Sequence, residues 1–271
     1  MRYCRFEHQG QSRYGRIESQ AGIDKITLLL QNPALGQDGD QGHGAERIDP
    51  VALADATLLA PVQPTKIVCV GRNYRAHAAE MGSEVPREPL LFFKPPSSLL
   101  APGKNIVRPK ASELIHYEGE LAVIIARSCF RLPRGADVRP YIHGYTALND
   151  ITARDLQKKD SQWVRGKGFD TFCPVGPIVT DEIDPWKGVN VETRVNGKLH
   201  QHGSTRDLIF PLDVLIHYIS NVMTLMPGDL IATGTPEGVG PVVAGDTVEI
   251  YVEGVGTLQN PVIDQVDLTE E

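Results

Sequence analysis

The chain is poor in several things, and each shortage removes a class of function. No apolar run approaches the roughly 18 residues that a membrane-spanning helix needs, so no spanning segment is expected. The first stretch, MRYCRFEHQGQSRYGRIE, is polar and mixed, without the apolar centre of a secretory leader. Cys4, Cys69, Cys129 and Cys173 stand far apart with no CxxC pair. That spacing offers neither a disulfide framework nor a zinc cluster, and it fits a reducing, cytoplasmic setting. There is no long basic run and the formal net charge is −7, which argues against nucleic acid or an anionic membrane as the main partner. The phosphate-loop pattern GxxxxGK(S/T) and the dinucleotide pattern GxGxxG are also missing.

What is present is an ordinary globular composition: 271 residues, 41% hydrophobic and 23% charged. Residues 1–62 differ in texture from the rest. Short strand-like runs are joined there by a Gly-, Asp- and Gln-rich loop and closed by the proline-punctuated LLAPVQPTK. They are expected to form a small N-terminal β-rich domain, with the main body over 63–271. In that body KIVCV, PLLFF, the run after HYEG, GYTALND, DLIATG, DTVEIYVEG and GTLQNPV read as strands. NYRAHAAEMG reads as a helix stopped near Gly82, and TARDLQKKD as a short helix with a capping-box start, Thr152 with Asp155. FPLDVLIHYISNVMTL repeats Leu212, Leu215, Ile216, Ile219, Val222 and Met223 at helical spacing. The class expected is α+β, predominantly β.

The stretch HYEGELAVIIA, residues 116–126, poses a chemical problem. At strand periodicity His116, Glu118 and Glu120 share a face, and the apolar run that follows reads as a strand buried on both sides. Two carboxylates then stand together where the chain enters a core, which is costly unless they are solvated, paired or bound to a cation. Asp150, closing GYTALND, would complete an all-oxygen trio that favours Mg²⁺, Mn²⁺ or Ca²⁺ over zinc. Taken alone, Asp150 also reads as decoration of a helix start. His77 and Glu80, three apart in a helical stretch, could form a general-base dyad or simply a polar helix face. Arg154 and Gln157 are likewise three apart, and Lys167 sits between glycines in RGKGFD. TGTPEGVG, residues 233–240, reads as a tight glycine-rich turn.

Taken in order, VGRNYRAHAAEMG, FFKPPSSL, HYEGELAVII, GYTALNDITARDLQ, KGFDTFCPVGP, VNGKLHQHG, IFPLDVLIHYIS and GDLIATGTPEGVGPV resemble the fumarylacetoacetate hydrolase family. The likeness runs over about residues 65–262 and is greatest to the smaller acylpyruvase-like branch, which includes 2-hydroxyhepta-2,4-diene-1,7-dioate isomerases. It implies a β-rich catalytic fold, a homodimer, and Mg²⁺ or Mn²⁺ held by Glu118, Glu120 and Asp150. It further implies His77 and Glu80 as the catalytic dyad, on a lid spanning roughly Asn73 to Glu88. Arg154, Gln157, Lys167 and Thr235 fall at its substrate-binding positions. A fourth acidic ligand used by the larger, name-giving enzymes has no counterpart here.

The activity this resemblance implies is hydrolysis of a C–C bond in an acylpyruvate-type 2,4-dioxo acid through a metal-stabilised pyruvate enolate. Oxaloacetate decarboxylation or tautomerisation, and 2-hydroxyhepta-2,4-diene-1,7-dioate isomerisation, use the same enolate and stand as alternatives. A small-molecule 2-oxo acid is the expected partner in each. A dead binding module is a remote third reading, disfavoured because all three ligands and both dyad residues are present.

Overall fold

A computed structural model describes residues 1–35 and 49–267, so the glycine-rich loop expected near residue 40 lies outside the described part. Within it the backbone is organised by a twelve-stranded, mostly antiparallel sheet. Its middle is the strand Gly119–Ile125, every residue of which is buried. That strand pairs antiparallel with Ile142–Asn149 on one side and Leu230–Ala232 on the other. The continuous apolar run expected to be covered on both faces is so covered. Leu121, Val123 and Ile125 enter one hydrophobic cluster, and Ala122 and Ile124 enter another.

Beyond Leu230–Ala232 the sheet continues through the parallel strand Ile67–Gly71 to Leu90–Lys94. On the far side of Ile142–Asn149 it continues through Cys173–Thr180 to Arg2–His8, Gln11–Gln20 and Ile23–Leu29. Thus the N-terminal strands extend the main sheet: Tyr3 pairs with Val179, and Tyr3, Cys4 and Phe6 are buried. A five-stranded sheet packs against this one, ordered Lys198–Ser204, Asn190–Val195, Thr247–Val252, Gly256–Asp264 and Ile106–Arg108. Among the described residues no helix is long and apolar enough to cross a membrane.

Three local expectations need correction. HYEGELAVIIA is not one strand: Ile115–Tyr117 belongs to a three-stranded sheet with Thr152–Ala153 and Gly240–Pro241, and the central strand starts at Gly119. Glu118 is the joint, its N–H donating to Asn149 Oδ1 (3.0 Å) and its carbonyl accepting from the Asp150 N–H (2.8 Å). Gly119 must be glycine, since a Cβ there would lie 2.2 Å from Thr193 Oγ1 on the second sheet. The helix after Asp150 is Arg154–Lys159 and has no side-chain cap. Thr152 is in a short strand and donates to the Asp150 carbonyl (2.9 Å), while Asp155 accepts from the Glu113 N–H (3.0 Å). Tertiary partners have taken both members of the expected capping box. Finally, the amphipathic helix is Leu212–Val222, with Leu212, Leu215, Ile216 and Ile219 buried as expected. Val222 is 60% exposed and Met223 lies past the helix end, because the chain turns there to bury Leu225 against Cys129.

Candidate metal centre and catalytic cavity

Strand register assembles the carboxylates. Gly119 pairs with Asn149 and Glu120 with Leu148, so Asp150 emerges beside Glu118 as the two strands leave the sheet together. Each of Glu118, Glu120 and Asp150 offers an oxygen, and these atoms all lie within 4.8 Å of one another. All three residues are buried, at 5%, 2% and 0% exposure.

Three equally buried cations surround them. Lys167 Nζ donates to Glu118 Oε2 (2.7 Å) and Asp150 Oδ2 (2.6 Å). Lys94 Nζ donates to Asp150 Oδ1 (2.6 Å) and to the Ile151 carbonyl (3.0 Å). The Arg154 guanidinium pairs with Glu118 and also donates to Gln157 Oε1 (2.8 Å).

The charges do not fall evenly. Burial alone would push the Glu118 carboxyl up, but Lys167 and Arg154 hold it well below the ordinary carboxylate range. Burial likewise works against the Lys167 ammonium, and Asp150 and Glu118 more than reverse that, raising its pKa. Among the described residues no cation is bonded to Glu120. It accepts one protein hydrogen bond, from the Gly234 N–H (2.7 Å), while burial, then Asp150 and Glu118, push its carboxyl well above the usual value. Three cations match three carboxylates in number, but all of them bind Glu118 or Asp150, so the local deficit lies at Glu120. A hard divalent ion fits that deficit and the all-oxygen donor set. The close approach of the Gly234 N–H depends on glycine: φ there is +105°, and a Cβ would lie 2.7 Å from the Asn73 Cβ.

His77, on the helix Arg75–Glu80, faces the same cavity of about 210 Å³ as the three carboxylates. Its Nδ1 lies 3.2 Å from Glu80 Oε2, and Glu80 Oε1 accepts from the Gly238 N–H (3.1 Å). The side-by-side placement expected from the spacing is thus present, and Glu80 is braced against the TGTPEGVG loop. Arg154, Gln157, Lys167 and Thr235 also line the cavity; of the candidates only Glu80 is outside its lining. The Thr235 hydroxyl donates to the Gly119 carbonyl (2.9 Å) and accepts from Gln201 Nε2 (2.7 Å), which leaves it a lone pair and no free proton. His116, expected on the face of the glutamates, is half-buried on the neighbouring short strand and outside the trio. Burial and then Arg154 push its pKa down to about 4.

Residue patterning missed three contributors. Lys94, 1% exposed, ends the apolar strand Leu90–Lys94, and a lysine at that point looks like a strand's wet end until Asp150 is placed beside it. Gln201, fully buried, ties the Gly119 N–H (2.9 Å) to Thr235, and nothing in VNGKLHQHG signals it. The Asn73 amide donates to the Phe210 and Thr233 carbonyls and accepts from the Phe210 N–H, fixing the chain ahead of His77. Since Lys94 is wholly enclosed, Lys94→Met should cost about 3–5 kcal/mol of stability by breaking a buried pair. Urea unfolding of the two proteins checks this, and a loss under about 1 kcal/mol would show that the pair is not structurally important.

The family described as fumarylacetoacetate (FAA) hydrolase C-terminal matches residues 66–263, and one described as Rv2993c-like, N-terminal matches residues 1–61. Oxaloacetate tautomerase YisK of Bacillus subtilis is 44% identical over 226 residues, covering 78% of this chain and 74% of that protein. The solved 5-carboxymethyl-2-hydroxymuconate delta-isomerase of Mycobacterium smegmatis superposes with a TM-score of 0.87 at 41% identity, over 98% of this chain and 100% of that one. The 2-hydroxyhepta-2,4-diene-1,7-dioate isomerase of Mycobacterium marinum does so with a TM-score of 0.86 at 40% identity and the same coverage.

Proposed function

The chain belongs to the fumarylacetoacetate hydrolase family, and on that premise we propose that it is a Mg²⁺- or Mn²⁺-dependent enzyme that interconverts the keto and enol forms, or shifts the double bond, of a 2-oxo acid. One observation carries this reading: a carboxylate-braced imidazole and a carboxylate trio whose Glu120 has no cation partner among the described residues face one small cavity. The names of three similar proteins, a tautomerase and two isomerases, favour proton movement over the C–C hydrolysis that the sequence resemblance first suggests.

Glu118, Glu120 and Asp150 would hold the metal. When bound, a divalent cation supplies positive charge to the carboxylate and 2-oxo oxygens of the substrate, which makes its C3 proton more acidic. Glu80 accepts from His77 Nδ1, fixing the tautomer that presents an unprotonated Nε2 as base. Nε2 takes the C3 proton and returns it to the 2-oxo oxygen, giving the enol with no net change in charge. Arg154 and Lys167 fix the orientation of Glu118 and Asp150 and add positive charge at the cavity wall. For a double-bond isomerisation the same proton would be returned to carbon farther along the conjugated chain.

Hydrolysis would need His77 to deprotonate water instead, and the same dyad could serve. A parallel assay separates the readings: oxaloacetate keto–enol interconversion by absorbance, pyruvate release from oxaloacetate, and cleavage of acetylpyruvate, each with Mg²⁺, Mn²⁺ or EDTA. Metal-dependent interconversion without cleavage is expected. Metal-dependent acetylpyruvate cleavage without interconversion would restore the hydrolase reading. Residues 1–62 as an N-terminal unit, 63–271 as the catalytic domain, and a homodimer complete the proposal. On that division, the pairing of Tyr3 with Val179 would be a contact across the boundary.

A further inference from the structure

The cations at this cavity are of two kinds. Lys167 and Arg154 are engaged by the carboxylates. Arg72 is not: it lines the same cavity, partly buried, and its guanidinium has no hydrogen-bond or ion-pair partner among the described residues. Its backbone sits at φ +57°, the left-handed region that glycine and asparagine enter easily and arginine seldom does. The kink is held from both sides. Gly71 packs on Trp163, where a Cβ would come within 3.3 Å of the indole, and the Asn73 amide is clamped between Phe210 and Thr233. A position that suits glycine therefore carries a long cation, uncommitted, at the wall of the site.

Phe92 and Trp163, ring centroids 5.2 Å apart, form an apolar stretch of that wall. A group in the cavity that needs a charged partner is left with Arg72 or Lys158, the latter exposed and solvated. Arginine's planar fork matches a carboxylate through two parallel hydrogen bonds, which a solvated lysine cannot do.

We propose that Arg72 is a specificity-determining residue that binds a second carboxylate at the far end of the substrate, so that the enzyme selects 2-oxo dicarboxylates over 2-oxo monocarboxylates. The proposal rests on the reading that a 2-oxo acid binds at the carboxylate trio. It is tested on the Mn²⁺-loaded full chain by rapid-mixing quenching of tryptophan fluorescence, which Trp163 on the wall supplies. The probes are two pairs differing only in a terminal carboxylate for a methyl group: oxaloacetate against 2-oxobutyrate, and 2-oxoglutarate against 2-oxopentanoate.

The wild-type protein should bind the dicarboxylate of at least one pair roughly tenfold or more tightly, as a charge-assisted pair implies. Arg72→Met and Arg72→Asn should both erase that preference while leaving the monocarboxylate Kd unchanged, the asparagine variant keeping the left-handed backbone comfortable. Lys158→Met should retain the preference. The proposal is overturned if wild type shows no preference, if the preference survives in the Arg72 variants or disappears with Lys158, or if Arg72→Asn weakens both acids alike. Binding of monocarboxylates without preference would defeat this inference alone. Binding of none of the four acids would defeat the parent reading with it.

Discussion

His77→Ala is expected to lower kcat by roughly 10²–10⁴-fold, the range that a positioned general base contributes, while metal affinity stays within about twofold of wild type. The two readouts belong together. His77 is not among the three carboxylates that gather at the metal centre, and it sits on a different element, the short helix Arg75–Glu80. Its removal should therefore take away proton transfer without disturbing ion binding. Glu80→Gln should produce a smaller loss, on the order of tenfold, because the amide can still hold the ring but no longer stabilises the protonated imidazole. Equal losses in the two variants would show that the imidazole works only as a unit with the Glu80 carboxylate. If His77→Ala kept wild-type turnover, the assigned base would be wrong.

Glu120→Gln is the second large effect, and its two parts have opposite signs. Manganese affinity should fall on the order of a hundredfold or more, since one of three anionic ligands is lost. Stability without metal should hold or rise. Glu120 has only the Gly234 N–H as partner among the described residues and lies beside Asp150 and Glu118 in a buried cluster, so neutralising it relieves repulsion. A structural ion-pair residue would behave in the reverse way, weakening the fold on substitution. Isothermal titration with Mn²⁺ and urea unfolding in EDTA measure the two parts. Unchanged metal affinity would remove Glu120 from the ligand set.

The fold and site were legible in the sequence to different depths. Strand and helix identity came through where the pattern was long: the apolar run 121–126 and the helix Leu212–Val222 both formed. Patterning failed where long-range partners outweighed local ones. Glu118 reads as mid-strand and is instead the joint between two sheets. Thr152 and Asp155 read as a cap and are drawn off to the Asp150 carbonyl and the Glu113 N–H. The paired glutamates stood out because carboxylates entering an apolar run conflict with burial, and that conflict shows in one dimension, whereas Asp150, His77 and Glu80 drew definite roles only from the family resemblance. Lys94, Gln201 and Arg72 produce no such conflict. An isolated lysine, glutamine or arginine looks like a solvated side chain until folding brings Asp150, Thr235 or the cavity wall to it.

The most direct test of the central claim is exchange of the C3 protons of 2-oxobutyrate in deuterium oxide, followed by proton NMR. Wild-type protein with Mg²⁺ or Mn²⁺ should wash out the C3 signal catalytically, and EDTA, Glu120→Gln and His77→Ala should each abolish the acceleration. Metal-independent exchange, or no exchange with metal while acetylpyruvate is cleaved, would contradict an enzyme that moves a proton between His77 and a 2-oxo acid held at Glu118, Glu120 and Asp150.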